Sequence, residues 1–337
     1  IDAIWITPFY PSPMADFGYD VSDYTGIDPT FGTMADFETL IQSAHDLNLR
    51  IVIDMVSNHT SDKHLWFTES RSSRTNPKRD WYIWRDAKPD GSPPNNWTTF
   101  FGGSAWTWDE PTGQYYLHLF LDQQPDLNWR NPEVIKAMDS VFRFWLDKGV
   151  DGFRLDAINF LIKHEDFPDM PVTTQATGGD LVQYHIYVNN QPELHPLLKN
   201  FRRTLDSYPG DRVLIGETGT LKAPALSQFY GTDLDEIHLP MIVLPLHTDW
   251  QAKAMRECLT EFYAGLPQGA VPHFVFGNHD DKRLITRYGI EHHRSIAMLL
   301  LTLLGSPILY YGDEIAMCDT YISVERRVDT AGMIDPE

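Results

Sequence analysis

In four places an apolar run ends on residues that can move protons or hold charge. Ile51-Val52-Ile53-Asp54 runs into Asn58-His59, and Phe153-Arg154-Leu155-Asp156 closes a second run. Val213-Leu214-Ile215-Gly216-Glu217 closes a third, and Phe274-Val275-Phe276 leads into Asn278-His279-Asp280. A single Asp after a strand reads as a loop or helix cap. Four together point to a shared site: if the strand ends meet on one rim, Asp156, Glu217 and Asp280 face one cleft, with Arg154, His59 and His279 beside them. Such a cluster is either catalytic or metal-binding. The side chains are competent ligands, but no H-x-x-x-H or H-E-x-x-H helix occurs, so no metal ligand is assigned. Cleavage of a glycosidic bond needs one carboxylate as nucleophile and a second carboxyl held protonated as acid, about 5–5.5 Å apart when configuration is retained. The cluster supplies both, and a third carboxylate.

The elements that must position these groups are short apolar runs alternating with helical patterns, the signature of βα units around a parallel sheet. Candidate strands are Ala3 to Thr7, Ile51 to Val56, Gly152 to Asp156, Arg212 to Gly216, Glu236 to Leu239, Pro272 to Phe276 and Pro307 to Tyr311. Helical patterns run from Met34 to Leu47, Pro132 to Leu146 and His293 to Leu304, with Asn131 before Pro132 as a cap plus first-position proline. The class is therefore α/β, and the expected architecture is a (β/α)8 TIM barrel whose first strand preceded Ile1. The interval from Asn58 to Asp122 lacks helical periodicity and is rich in Trp, Pro, Gly and charge. It reads as a small irregular domain, residues 58–122, inserted after the third strand of that barrel, with residues 1–57 and 123–337 forming the barrel itself.

The 42% hydrophobic content of 337 residues is enough for a large core, and the net charge of −20 with no Lys/Arg cluster excludes a nucleic-acid partner. Two cysteines, Cys258 and Cys318, supply neither a disulfide framework nor a cysteine-rich zinc site and favour a reducing, cytoplasmic compartment. The longest apolar run, Ile296 to Leu304, is broken by Thr302 and is far shorter than the roughly 20 residues of a membrane span. A small neutral partner, with no membrane association, fits this composition.

Taken in order, the motifs resemble those of the α-amylase superfamily, glycoside hydrolase family 13, over essentially the whole chain. Asp54-Met55-Val56-Ser57-Asn58-His59 is similar to the family's D-x-V-x-N-H, and Gly152-Phe153-Arg154-Leu155-Asp156-Ala157 to its G-F-R-x-D-A. Gly216-Glu217 resembles the acid-bearing strand end, Phe276-Gly277-Asn278-His279-Asp280 the fourth motif, and Gly305-Ser306-Pro307 through Tyr310-Tyr311-Gly312-Asp313-Glu314 the last barrel strand. The resemblance implies Asp156 as nucleophile, Glu217 as general acid/base and Asp280 as transition-state stabiliser. It also implies His59 and His279 as donors to sugar hydroxyls. Arg154, two residues before Asp156 on the same strand face, should keep that carboxylate ionised.

Gln124-Pro125-Asp126-Leu127-Asn128 resembles the signature of the oligo-1,6-glucosidase and α-glucosidase group, and with Gly18-Tyr19-Asp20 it implies a short substrate. By the same resemblance Tyr19 stacks on the terminal glucose, Asp20 binds its outer hydroxyls, and Phe101 and Phe120 wall the pocket. Ala157, after the nucleophile, implies a preference for α-1,4 over α-1,6 bonds. The expected activity is a retaining α-glucosidase acting on maltose and maltotriose, with isomaltose or sucrose as further candidates. Glucosyl transfer, as in trehalose synthases or sucrose-acting relatives, is the alternative. A non-catalytic transporter-associated subunit is disfavoured by the intact carboxylates. No cofactor is required, and calcium is left open because the corresponding loop of relatives precedes residue 1. Two features depart from the pattern: Thr218-Gly219-Thr220 follows Glu217 where a less polar neighbour is expected, and the chain stops before the family's R-T-P-M-Q-W segment. The sequence therefore reads as a fragment, lacking the first barrel strand and a C-terminal β domain.

Overall fold

The computed structural model of the chain describes every residue except 175–180, 184, 220–222 and 328–337. The chain forms two compact units, one from Ile1–Leu194 and Thr204–Arg212, the other from His195–Arg203 and Val213–Arg326.

In the first unit, strands Ala3–Ile6, Arg50–Val56 and Gly152–Asp156 lie parallel and side by side in that order. Every residue of Arg50–Val56 after Arg50 is buried, as is all of Gly152–Asp156. Strands covered on both faces read as unbroken apolar runs and need helices to cover them. Helix Met34–Asp46 starts on Thr33 in a capping box with Asp36 and buries Phe37, Ile41 and Ala44. Helix Pro132–Asp147 starts on Asn131, whose side chain accepts the Glu133 N–H, and buries Val134, Met138, Val141, Phe142, Trp145 and Leu146. Trp145 locks the two helices together: its ring meets Phe37 edge-on at 5.0 Å, and its indole N–H donates to the Tyr24 carbonyl at 2.7 Å.

The inserted region begins with helix Leu65–Ser72 and builds an antiparallel sheet in which Gln114–Leu117 lies between Trp84–Arg85 and Trp106–Asp109. Trp97, Trp106, Leu117 and Leu119 form its core together with Met170 and Val188. The last two lie well beyond residue 122, because composition marks where an aromatic-rich stretch stops, not which later side chains fill the core. A two-stranded ladder, Val172–Thr174 with Leu181–Gln183, follows the third parallel strand and was not anticipated from the sequence.

In the second unit, strands Val213–Gly216, Leu239–Ile242, His273–Val275 and Ser306–Ile308 are parallel and adjacent in that order. Helices Ala252–Gly265 and His293–Thr302 bury Met255, Leu259, Phe262, Ile296 and Leu300 against Phe274 and Phe276. The expected strand Glu236 to Leu239 is displaced to Leu239–Ile242. The strand runs through Pro240, which lacks a ladder donor and still pairs with Gly216. Glu236 and Ile237 are instead tied back to the preceding turn, their N–H groups donating to Tyr230 and Phe229 carbonyls, and the Glu236 carboxylate pairs with His195 Nδ1 at 2.7 Å. The strand–helix alternation of both units is that of the (β/α)8 fold. Among the described residues no helix is long and apolar enough to cross a membrane.

Candidate active site

Strand register assembles the first part of the site. Asp54 stands opposite Arg154 and Val56 opposite Asp156, so the Asp54 carboxylate and the Arg154 guanidinium are neighbours across the pair. Arg154 Nη1 donates to Asp156 Oδ1 at 2.6 Å and to Asp54 Oδ1 and Oδ2 at 3.0 and 3.2 Å. All three side chains are buried: Arg154 is 2%, Asp54 0% and Asp156 8% exposed. One cation therefore serves two carboxylates away from water, where its field is least screened. Tyr19 completes the group, its phenol donating to Asp54 Oδ2 at 3.1 Å, while the Tyr10 phenol fixes the Asp54 carbonyl at 2.6 Å. Asp54 was read as a charged strand end without a role of its own; register gives it a place beside the nucleophile candidate.

Asp20, expected to meet sugar hydroxyls, is fully buried in its own loop. Its Oδ1 accepts from Ser12 Oγ at 2.8 Å and the Asp16 N–H at 3.0 Å, and its Oδ2 accepts from the Ala15 N–H at 3.0 Å. In this arrangement it shapes the turn that presents Tyr19. Ala157, directly after Asp156, lies in the left-handed region at φ 47° and ψ 39° and is buried. A non-glycine residue there is uncommon and strained.

His59 is buried at 1% exposure, and its Nε2 is 3.0 Å from Gln124 Nε2. The Gln124 amide orientation is fixed because its Oε1 accepts the Leu121 N–H at 3.0 Å, so Nε2 donates and the imidazole offers a lone pair. Burial pushes His59 down to about 4, with Asp126 opposing and Lys163 adding to the fall, so the ring is neutral near pH 7. Its ring centroid is 5.0 Å from that of Phe120. Phe101 lies 6.3 Å from Phe120, and the aromatic cluster continues through residues the sequence did not single out: Phe100 at 5.3 Å from Phe120 and Phe160 at 4.5 Å from Phe100.

Beneath His59 lies a second buried ion pair, also missed from sequence. Lys163 Nζ is 2.7 Å from Asp126 Oδ2 and 2.8 Å from Asn58 Oδ1, and Asn58 Nδ2 donates to Asp126 Oδ1 at 3.2 Å. Burial lowers the Lys163 ammonium, and Asp126 opposes that shift. Gln124 and Asp126, first read as a subgroup signature, thus set the orientation of the Asn58-His59 pair. Among the described residues no group of three or more His, Cys, Asp or Glu is placed to hold a metal ion.

The second unit carries Glu217 and Asp280. Glu217 follows strand Val213–Gly216 and is half-buried. The unexpected polar neighbour Thr218 is fully buried, and its hydroxyl donates to the Met241 carbonyl on the next strand at 3.0 Å. Its polarity is satisfied by the sheet, which accounts for Thr218 in that departure from the family pattern; Thr220 lies outside the described residues. Asp280 is exposed, with Oδ1 3.5 Å from His279 Nε2, and Asn278 Oδ1 accepts the Asp281 N–H at 2.9 Å to shape the turn that carries both.

Residues 1–335 match the alpha amylase catalytic domain. The chain is 44% identical to the "Probable alpha-glucosidase" of Rhizobium meliloti (strain 1021), over 98% of this chain and 63% of that protein. It is 39% identical to the "Oligo-1,6-glucosidase" of Heyndrickxia coagulans, over 98% of this chain and 62% of that protein. The chain thus spans about three fifths of the length of these relatives. Among solved structures, the alpha-glucosyl transfer enzyme XgtA superposes with a TM-score of 0.92 at 42% identity, covering 99% of this chain and 64% of that one. The trehalose-6-phosphate hydrolase of Bacillus licheniformis does so with a TM-score of 0.85 at 35% identity, covering 96% and 61%. A family match over nearly every residue, on a fold whose strand ends carry the family's charged groups, has one meaning: this chain belongs to the alpha-amylase family.

Proposed function

We propose that the chain is the catalytic part of a retaining α-glucosidase that cleaves terminal α-glucosidic bonds of short oligosaccharides, with α-1,4 bonds preferred. The observation that carries this reading is the buried guanidinium of Arg154, 2.6 Å from Asp156 Oδ1, which holds an ionised carboxylate at a strand end as a nucleophile requires. In the first step an Asp156 oxygen bonds to the anomeric carbon as the glycosidic C–O bond breaks, and Glu217 gives its proton to the departing oxygen. In the second, Glu217 takes a proton from water, whose oxygen bonds to the same carbon and releases Asp156. Two inversions give net retention. Asp280 would stabilise the positive charge that develops on the ring. Tyr19, Phe101 and Phe120 would offer apolar faces to the pyranose, and His59 and His279 polar ones. The chemistry as written calls for no cofactor. Maltose and maltotriose are the substrates we put first, and the two free cysteines, Cys258 and Cys318, fit a cytoplasmic protein.

Asp156→Asn should abolish turnover and leave the fold intact, because it removes the nucleophile at constant size. A fluorinated glucosyl inhibitor should label Asp156 and no other residue, and NMR of the first product should show the α-anomer. A label elsewhere, or release of the β-anomer, would overturn the assignment. Glucosyl transfer is the second reading, supported by the close superposition on an alpha-glucosyl transfer enzyme. It shares the covalent intermediate and replaces water with a sugar hydroxyl, so transfer products outnumbering free glucose at low substrate concentration would favour it.

A further inference from the structure

Gly277 opens the segment that leaves strand His273–Val275 and delivers Asn278, His279 and Asp280. Its backbone is not in the left-handed region, so glycine is not there for conformational freedom. Space is the reason. A Cβ on Gly277 would stand 3.1 Å from Asp313 Oδ2, 3.6 Å from Asp313 Oδ1 and 3.5 Å from Leu284 Cγ. The Asp313 carboxyl therefore lies against the bare Cα of Gly277.

Asp313 is held there by the backbone of Tyr310 and the side chain of His293. Its Oδ2 accepts the Tyr310 N–H at 3.2 Å, its own N–H donates to the Tyr310 carbonyl at 3.0 Å, and its carbonyl accepts from His293 Nε2 at 2.8 Å. It is 7% exposed, and Oδ1 has no hydrogen-bond partner. Burial raises this carboxyl, with the nearby Glu314 adding to the shift and Arg283 and Arg287 opposing it. Leaving a polar oxygen unsatisfied in the interior is costly. Arg287 donates to the Phe276 carbonyl, one residue before Gly277, and the Arg283 guanidinium lies over the Tyr310 ring at 4.8 Å. The Tyr310 phenol is raised, chiefly by burial, and Asp280 is one of the charges close enough to contribute. Asp313 thus touches the backbone that carries Asp280, through Gly277, and the backbone of Tyr310.

We propose that Asp313 is a positioning residue for the reaction, its carboxyl bracing the Cα of Gly277 and the N–H of Tyr310 so that His279 and Asp280 are held at the depth the transition state requires. The inference rests on the proposed function, because it gives Asp280 a part in catalysis. Asp313 does not touch substrate. Its contribution should appear in kcat, since misplacing a group that acts on the transition state leaves ground-state binding largely intact.

The test is a double-mutant cycle in the full-length enzyme on an aryl α-glucoside, with kcat, KM and Tm read for each variant. Wild-type turnover and its loss in Asp280→Asn check the underlying reading by themselves; failure there refutes that reading, independently of the cycle. In the cycle, Gly277→Ala sets a methyl 3.1 Å from Asp313 Oδ2, so the pair must give by a few tenths of an ångström; this should lower kcat about 3–10-fold, with KM changed no more than about threefold. Asp313→Ala should lower kcat about tenfold. Gly277→Ala with Asp313→Ala should be no slower than Asp313→Ala alone, because the methyl then has room. Asp313→Asn, which keeps the shape and the acceptor for Tyr310, should remain within about threefold of wild type. If Asp313→Ala does not fold, Asp313→Ser replaces it in both arms, opening the same space while keeping a hydroxyl. Wild-type kcat in the Asp313→Ala or Asp313→Ser variant, or multiplicative losses in the double variant, would overturn the proposal. So would a loss that falls on Tm alone.

Discussion

Lowering the pH from 8 to 5 should strip several kcal/mol of stability from this protein, through three histidines that fold only as neutral rings. His59, His64 and His273 are 1%, 5% and 3% exposed, and burial pushes each from 6.5 down to about 4. The hydrogen bonds agree with neutrality. His64 Nδ1 accepts the Trp66 N–H at 3.0 Å, which a protonated ring cannot do. His273 gives Nδ1–H to the Ser306 carbonyl at 2.9 Å and has a buried Nε2 without any partner, so a second proton there would have no acceptor. Because the folded values are depressed, the unfolded chain binds more protons between about pH 4 and 6.5, and stability rises with pH through that window. It is fully present above about pH 7 and is lost as the pH falls. At pH 5 an unfolded ring at 6.5 is almost wholly protonated and a folded ring at about 4 is about one-tenth protonated; integrated from pH 8, each ring costs about 2 kcal/mol. Three give about 6 kcal/mol, comparable with the 5–15 kcal/mol that typical folds possess. Asp313, whose carboxyl is raised, pulls the other way at the acid end. Urea unfolding at pH 8, 6.5 and 5, followed by tryptophan fluorescence, measures the loss. His273→Phe should reduce it by about 2 kcal/mol, since it removes one of the three titrations. A midpoint that does not move between pH 8 and 5, or an undiminished loss in His273→Phe, would refute the reasoning.

Arg154→Met should cost about 3–5 kcal/mol of stability, because it leaves the buried Asp54 and Asp156 carboxylates without their shared cation; a Tm within a degree or two of wild type would contradict the burial of the pair. Lys163→Met leaves Asp126 uncompensated and should destabilise by a similar ~3–5 kcal/mol. Calorimetry of Lys163→Met and of the double variant Lys163→Met with Asp126→Leu should show the second change recovering much of the loss. Ala157→Val should shift the kcat/KM ratio toward isomaltose by at most about 10–200-fold, the worth of one or two methyl groups in a pocket. It should also lower Tm, because a β-branched side chain is a poor fit to φ 47°. Ala157→Gly should leave the ratio near wild type, and a folded valine variant with an unmoved ratio would show that Ala157 does not set linkage.

What the sequence disclosed follows from how many local signals agreed. Ile51 to Val56 and Gly152 to Asp156 are largely apolar runs with no proline, each carrying at least one charged residue, and both are strands at the expected place. Helix Pro132–Asp147 was legible because its cap, its first-turn proline and its apolar stripe all mark the same start. Leu239–Ile242 was misplaced because Pro240 contradicts its own strand, and the parallel ladder with Gly216 tolerates it. The pairing of Asp54 with Arg154, and Lys163 altogether, were missed for a different reason. Their partners lie about a hundred residues away or on another element, and only strand register brings Asp54 to Arg154, or folding brings Lys163 to Asn58. Thr218 shows the reverse: a residue that looked anomalous in sequence is ordinary once Met241 supplies its acceptor.

Arg154 and Lys163, 2% and 3% exposed, tie together the charged residues of the motifs. Apolar core positions can exchange Leu for Ile or Met at small cost. Arg154 between Asp54 and Asp156, and Lys163 between Asn58 and Asp126, cannot be exchanged singly, because each deletion strands a charge at less than a tenth of its exposed area. Neither cluster need stabilise the fold; an apolar replacement of all members could be neutral or better. Their yield is orientation. Arg154 sets one oxygen of Asp156, and the Lys163 pair, with Gln124, sets the imidazole of His59, so both groups are fixed before any sugar arrives. A site organised in this way should lose rate before it loses affinity when its buried ions are altered. Replacing Lys163, Asp126 and Asn58 together with Met, Leu and Leu should therefore give a folded enzyme with nearly normal KM and a reduced kcat. A triple variant whose kcat is untouched would show that orientation of His59 does not depend on the cluster.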